Sequence, residues 1–231
     1  VLLTQSGKAF STTMVKVFGE QLNATSFTSG GVTGAAMVSI ATLGDKVVVC
    51  SGNGVAPKLL DKKTGEVVGT LNTGDFVPTY VENDDAGNLV MCNRNYLVGD
   101  TWSVPFAVYY MTSETATPIQ LINGGKYGPL GAAFDVRGDV TKNAVLLAAH
   151  EGIPGVSMGY SIEVWTITDG VAGESALNNV SGISILWGSA AWNCTPHNFP
   201  AFALLGETIE AGALYGFYDN NNLHYMDATY N

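Results

Sequence analysis

The residues of this sequence that are best suited to chemistry are aromatic, amide and charged side chains gathered in its loops. Arginine, asparagine, tyrosine and tryptophan occur together in NRNYLVGDTWSVP (93–105), and a histidine and a glutamate open HEGIPGVSMG (150–159). Further rings occur in GGKYG (124–128) and GSAAWNCTPHNF (188–199), and amides in DNNN (219–222). The candidate ligand-binding residues are Arg94, Asn95, Tyr96, Trp102, Tyr127, His150, Glu151, Trp192 and His197.

This mixture of side chains is typical of a carbohydrate site. Aromatic rings pack on the apolar faces of sugar rings, while amide and charged groups bind the hydroxyl groups. Trp102 and Trp192 would be the stacking platforms of such a site. The alternative is that these tryptophans only pack against the ends of the strands. Trp165, in IEVWTI, is predicted to lie in the hydrophobic core.

Catalysis has less support in the sequence. His150, Glu151 and His197 have the chemistry of acid–base or metal-binding groups. No nucleophile signature, paired-carboxylate motif or histidine cluster accompanies them. The run ENDD (82–85) has the oxygens of a calcium loop, but it continues into Gly87 and Asn88 and therefore predicts a hairpin turn. The sequence thus predicts a non-catalytic protein with no cofactor and no metal.

The elements that must position these loops are short strands separated by tight turns. Two strands around a turn from Asp61 to Gly65 are predicted in KLLDKKTGEVVGTLN (58–72). The same pattern recurs in TYVENDDAGNLVMCN (79–93), and two more strands follow in FAVYYMTSETATPIQLI (106–122). Residues 79–122 therefore predict a four-stranded antiparallel meander.

Four such units cover most of the chain. The first begins at AAMVSIATLGDKVVVC (35–50), and the third combines AAFDVRGDVTKNAVLLAAH (132–150) with YSIEVWTITDGVAGESAL (160–177). The fourth, from residue 199 onward, has room for three strands and lacks the last one. The predicted units span residues 35–75, 76–125, 126–187 and 188–231.

An all-β chain of four-stranded repeats predicts a β-propeller. A single four-stranded unit cannot bury both of its faces, whereas stacking the units around an axis covers each face with a neighbour. The segment 1–34 is either a ring-closing strand, for which TMVKVFG is the candidate, or part of a preceding blade in a larger ring. A two-sheet β-sandwich is the alternative fold.

The motifs of the first two units resemble a known group of proteins. With LLDKKTGEVVGTLN followed by VENDDAGNLVMCN, the chain resembles the propeller domains of surface or periplasmic proteins of Bacteroides-type bacteria, many of them lipoproteins. Its Asp-x-x-Thr-Gly and Asp-x-x-Gly-Asn-Leu turns are also similar to those of quinoprotein-like and lactonase-like propellers. The resemblance implies an exported protein, in the periplasm or anchored at the outer membrane, with outer-membrane transporter or lipoprotein partners.

Composition excludes one class of partner. A formal net charge of −10, with only ten scattered basic residues, does not fit nucleic-acid binding, which requires clustered lysine and arginine. The three cysteines, Cys50, Cys92 and Cys194, are predicted to be thiols rather than a disulfide framework, the first two of them buried at strand ends. No apolar run is long enough for a signal peptide or a transmembrane segment, so we expect a processed form or a piece of a longer chain.

Three functions follow from this sequence. The first is a non-catalytic surface propeller that binds a glycan or peptide through its loops, or that joins an outer-membrane nutrient-uptake assembly. The second is a purely structural protein-interaction propeller. The third is a hydrolase or lyase with His150, Glu151 or His197 at the axis.

Overall fold

A computed structural model describes residues 39–50, 55–94, 97–98, 101–102, 104–124, 130–150, 162–175, 201–217 and 220–226. In these ranges the chain is built from antiparallel strands, apart from a short 3-10 helix at Ile209–Ala211. The predicted all-β class is therefore confirmed. The segment 1–34 and Cys194 lie outside the described residues.

Sheet I contains the first four strands in sequential order. They are β1 (Ser39–Leu43), β2 (Lys46–Cys50), β3 (Lys58–Asp61) and β4 (Val67–Thr70). The predicted turn between β3 and β4 forms because the Asp61 side chain accepts hydrogen bonds from the backbone N–H groups of Lys63 and Thr64, both at 2.8 Å. Gly65 completes the turn with a φ of 75°, a region that glycine adopts without strain.

Sheet II is interrupted by a hairpin that the sequence did not predict. Its strands are β5 (Tyr80–Asn83), β6 (Leu89–Cys92), β9 (Ala107–Met111) and β10 (Ile119–Asn123). Between β6 and β9, the strands β7 (Leu97–Val98) and β8 (Thr101–Trp102) pair with each other. The long loop at residues 93–105 therefore has secondary structure of its own.

Sheets III and IV follow the predicted strand order. Sheet III contains β11 (Leu130–Gly138), β12 (Ala144–His150), β13 (Ile162–Thr168) and β14 (Val171–Ala172). Sheet IV contains three strands in the described residues, β15 (Ala201–Leu204), β16 (Ala213–Phe217) and β17 (Asn220–Met226), as predicted. The prediction of a loop at 219–222 was wrong, because β17 already begins at Asn220 and pairs with Phe217.

Sheet II is buried on both of its faces. Along β6, Leu89 and Met91 pack into one apolar cluster with β1 and β2 of sheet I. Val90 and Cys92 point the other way, into a second cluster with β11 and β12 of sheet III. Sheets I, II and III therefore stack in series, with sheet II in the middle.

The predicted core residues occupy these interfaces. Trp165 is buried and stacks on Phe106, with ring centroids 5.8 Å apart, across the interface of sheets II and III. Cys50 and Cys92 are both buried at the ends of second strands, as predicted. The Cys50 thiol donates a weak hydrogen bond to the Pro78 carbonyl at 3.4 Å.

The first strand of each sheet (β1, β5, β11 and β15, hereafter the first strands) lies at a sheet edge and contacts the next first strand along the chain. Edge strands present backbone N–H groups that need partners. Between sheets I and II, neutral side chains supply them. The Val81 N–H donates to the Ser39 hydroxyl at 2.8 Å, and the Thr42 N–H donates to the Asn83 side-chain carbonyl at 2.7 Å. We call this contact the neutral junction.

Candidate functional site

Two regions bring polar side chains of different sheets together. One is the end of the sheets at which the loops after β2, β6 and β12 emerge, here called the loop end. The other is the contact of β5, β11 and β15 with the adjoining turns, here called the charged junction. The described residues among those predicted to bind a ligand, Arg94, Trp102 and His150, belong to the loop end.

Asn93 fastens the base of the long loop at residues 93–105. Its side-chain amide donates to the Pro105 carbonyl at 2.8 Å, and its side-chain oxygen accepts from the Ala107 N–H at 2.7 Å. Because Asn93 is itself buried, these bonds hold both ends of the loop to sheet II. This role was not predicted, since Asn93 directly follows a strand and its type and position are also those of an ordinary last residue of that strand.

Gly131 lets sheet III approach this loop base closely. Its φ is 92°, and a Cβ atom there would lie 2.3 Å from the Asn93 carbonyl oxygen and 3.1 Å from the Arg94 Cα. The preceding residue, Leu130, pairs with His150 at the end of β12. The backbones of Arg94 and His150, from neighbouring sheets, therefore both lie beside the start of β11.

The predicted site residues are placed to different extents. Arg94 is half-buried and lies two residues after the end of β6, Trp102 ends β8, and His150 ends β12. These three come from the loop end of sheets II and III. The other six lie outside the described residues: Asn95, Tyr96, Tyr127, Glu151, Trp192 and His197.

The hairpin turn of sheet II is hydrogen-bonded to the first turn of sheet III. The buried Asp84 side chain accepts from the N–H groups of Ala86 and Asn88 within its own turn, which confirms the predicted turn at this acidic run. It also accepts from the Val140 N–H in sheet III at 2.9 Å, and Asp85 accepts from the Gly138 N–H at 2.8 Å. The two acidic residues therefore connect two sheets in addition to shaping the turn.

A pair of carboxyl groups, the buried Asp135 and the half-buried Glu82, lies next to this contact between the turns. Asp135, on β11, accepts hydrogen bonds from the N–H groups of Val136 at 2.9 Å and of Leu204 on β15. Glu82, on β5, forms a side-chain hydrogen bond with Asp135. The Arg137 guanidinium contacts the Asp85 carboxyl group at 3.2 Å and the Leu204 carbonyl at 3.4 Å. The junction thus joins three first strands.

The environment changes how this pair titrates. Burial, with the nearby charge of Asp135, raises the pKa of Glu82 to about 9. Burial also raises the pKa of Asp135, against the opposing effect of the Leu204 N–H bond and of Arg137. Burial raises the pKa of Tyr80, on the same strand as Glu82, to about 12. Both carboxyl groups therefore hold a proton more strongly than an exposed carboxyl group does.

No sequence motif predicts this pair, because its two carboxyl groups are 53 positions apart. Glu82 belongs both to the predicted first strand of residues 79–93 and to the acidic run that begins the turn, and in the structure it lies in β5. Asp135 interrupts the apolar run AAFDV, and a charged residue inside a strand that is buried on both faces is the signal that could have identified it.

The described residues contain neither a metal-binding group nor a membrane-spanning helix. None of their histidine, cysteine, aspartate and glutamate side chains form a group of three or more that could hold a metal ion. None of the helices among these residues is long and apolar enough to cross a membrane.

Comparison with known proteins identifies a family. Residues 20–231 match the family described as Domain of unknown function (DUF8500), and the chain belongs to that family. No curated protein matches the chain, and no solved structure matches it either.

Proposed function

We propose that this chain is a non-catalytic β-propeller that binds a glycan or a peptide at its loop end. The propeller is supported by the burial of both faces of sheet II and by the contacts of each first strand with the next. A two-sheet sandwich buries one face of each sheet, so this double burial favours a ring of blades over the alternative fold. Sheet IV would gain its fourth strand from elsewhere in the ring, with TMVKVFG as the candidate segment.

The observation that carries the binding proposal is the close packing of Gly131 on Asn93 and Arg94. This close packing is evidence for a rigid base at the loop end, from which residues of two blades would contact the same ligand. Binding residues are often found on loops that a rigid scaffold positions, because the scaffold limits the entropy lost on binding. Arg94 would bind hydroxyl or carboxyl groups, and Trp102 would provide a stacking surface.

The cellular setting follows from the resemblance to Bacteroides-type surface propellers. We propose that the protein is exported and acts in the periplasm or at the outer membrane, next to transporter or lipoprotein partners. A loop end that binds glycans or peptides would suit a component of a nutrient-uptake assembly, because such systems capture these compounds before transport.

The test is binding of the full chain to a glycan array and to a peptide library. We expect binding that is reduced at least tenfold in a Trp102→Ala, Trp192→Ala double variant and in Arg94→Ala. The matched control is Lys62→Ala, which removes an exposed cation from the turn between β3 and β4, at the opposite end of sheet I. Circular dichroism and urea unfolding would establish that each variant is folded.

Two results would contradict this proposal. Binding that survives in both loop-end variants would put the ligand elsewhere on the molecule. Failure to bind any glycan or peptide, with recovery of a protein partner from outer-membrane extracts, would favour the purely structural propeller instead.

A further inference from the structure

The carboxyl pair of the charged junction joins three sheets through very few atoms. Asp135, in sheet III, receives the N–H of Leu204 from sheet IV and the side chain of Glu82 from sheet II. Asp135 is only 3% exposed, so water does not replace these partners. The hydrogen bond from Glu82 is the contact of a β5 side chain with the Asp135 carboxyl group.

The geometry indicates which residue carries the proton. Both oxygens of Asp135 accept backbone N–H groups, from Val136 and from Leu204, and such bonds favour the ionised form. Glu82 is therefore the protonated partner, and its O–H donates to Asp135. Its Oε2 atom is buried and accepts no hydrogen bond from a described residue, so an ionised Glu82 would have an unsatisfied charge there.

The other charged and titratable groups around the pair do not compensate the charge that an ionised Glu82 would carry. Arg137 favours ionisation of both carboxyl groups, but its guanidinium is also engaged by Asp85. Tyr80 and Cys92, which face the pair from β5 and β6, are neutral at physiological pH because burial raises the pKa of both. The strands β1 and β15 contain no titratable side chain.

We propose that Glu82 and Asp135 form a one-proton latch between sheets II, III and IV. The latch is closed while Glu82 holds its proton and opens when that proton passes to the solvent in alkaline solution. Two adjacent carboxylates then repel each other in a buried site, and β5 separates from β11. The latch is independent of ligand binding at the loop end.

The direction of the pH dependence follows from proton binding. An unfolded chain releases the Glu82 proton near the ordinary pKa of about 4.5, whereas the folded chain retains it up to about 9. The folded state therefore binds more protons than the unfolded state in this window. The contribution of Glu82 to stability is therefore greatest below the lower value, and it falls as the pH rises toward the higher one.

The test compares the unfolding equilibrium of the wild-type chain with that of Glu82→Gln, by urea titration at pH 5, 7 and 9. Glutamine retains a donor toward Asp135 but has no proton to lose. We expect the folding equilibrium constant of the wild type to fall relative to that of the variant by up to about tenfold per pH unit, the limit for one proton. Glu114→Gln, at an exposed position between β9 and β10, is the control and should follow the wild type.

A second measurement keeps the latch testable if Glu82→Gln does not fold. The side-chain carboxyl carbon of Glu82 can be titrated directly by NMR in the wild-type chain. A midpoint well above pH 7 is expected. A midpoint near 4.5, or parallel pH curves for the wild type and a folded Glu82→Gln variant, would overturn the proposal.

Discussion

The neutral junction and the charged junction do the same structural task with different chemistry. Between sheets I and II, a hydroxyl group and an amide accept the edge N–H groups of Val81 and Thr42. Between sheets III and IV, the Asp135 carboxyl group accepts the edge N–H of Leu204. The first arrangement contains no group that titrates, whereas in the second the accepting carboxyl group is also bound by the titratable side chain of Glu82.

This difference shows that the backbone N–H groups of an edge strand can find acceptors without a charged side chain. A buried neutral hydrogen bond contributes about 1 kcal/mol and keeps that contribution at any pH. A buried carboxyl pair makes stronger bonds, but only in one protonation state. The chain therefore has one junction whose strength is constant and one whose strength depends on the solution.

The largest expected effect is at the turn that borders the charged junction. Asp84→Ala removes hydrogen bonds to the N–H groups of Ala86, Asn88 and Val140 at a buried position. Since each unsatisfied buried group costs roughly 1 to 3 kcal/mol, we expect a loss of about 3 to 4 kcal/mol in the free energy of unfolding. Urea unfolding at pH 7 measures this loss.

The matched variant is Asp84→Asn, which keeps one acceptor oxygen and should recover part of the stability. If Asp84→Ala cost less than 1 kcal/mol, the turn of sheet II would not be an important connection between sheets II and III.

A smaller effect is expected from breaking the neutral junction. Asn83→Ala removes the acceptor of the Thr42 N–H and the donor to the Thr42 carbonyl, which lies 2.6 Å from the amide nitrogen. We expect a loss of about 1 to 2 kcal/mol, because both groups are only partly buried. The loss should be the same at pH 5 and at pH 9, since no titratable group takes part.

Urea unfolding of Asn83→Ala and the wild type at both pH values measures the difference. A loss that changed with pH would mean that the neutral junction is coupled to the carboxyl pair, and the distinction between the two junctions would fail.

Local turn chemistry accounts for what the sequence predicted correctly. The turn at Asp61 depends on hydrogen bonds between residues two and three positions apart, so its residues identify it directly. The hairpin at Asp84 is equally local, since its hydrogen bonds join residues two and four positions apart. Strand order followed from the spacing of such turns, including the three strands of sheet IV.

Contacts between sheets account for what the sequence did not predict. Glu82 and Asp135 are 53 positions apart, and they meet only because two first strands of different sheets lie side by side. The packing of Gly131 on Asn93 has the same origin. No periodicity within one strand contains this information, since it depends on how whole sheets stack.

The most direct test of the two-junction account is amide hydrogen exchange of the wild-type chain and of Glu82→Gln between pH 6.5 and 9. After correction for intrinsic rates, the protection of Val136 and Leu204 should fall with pH in the wild type, relative to that of Thr42 and Val81. In Glu82→Gln the four amides should lose no protection relative to one another. Parallel behaviour of all four amides in the wild type, or an unchanged difference in the variant, would contradict the account.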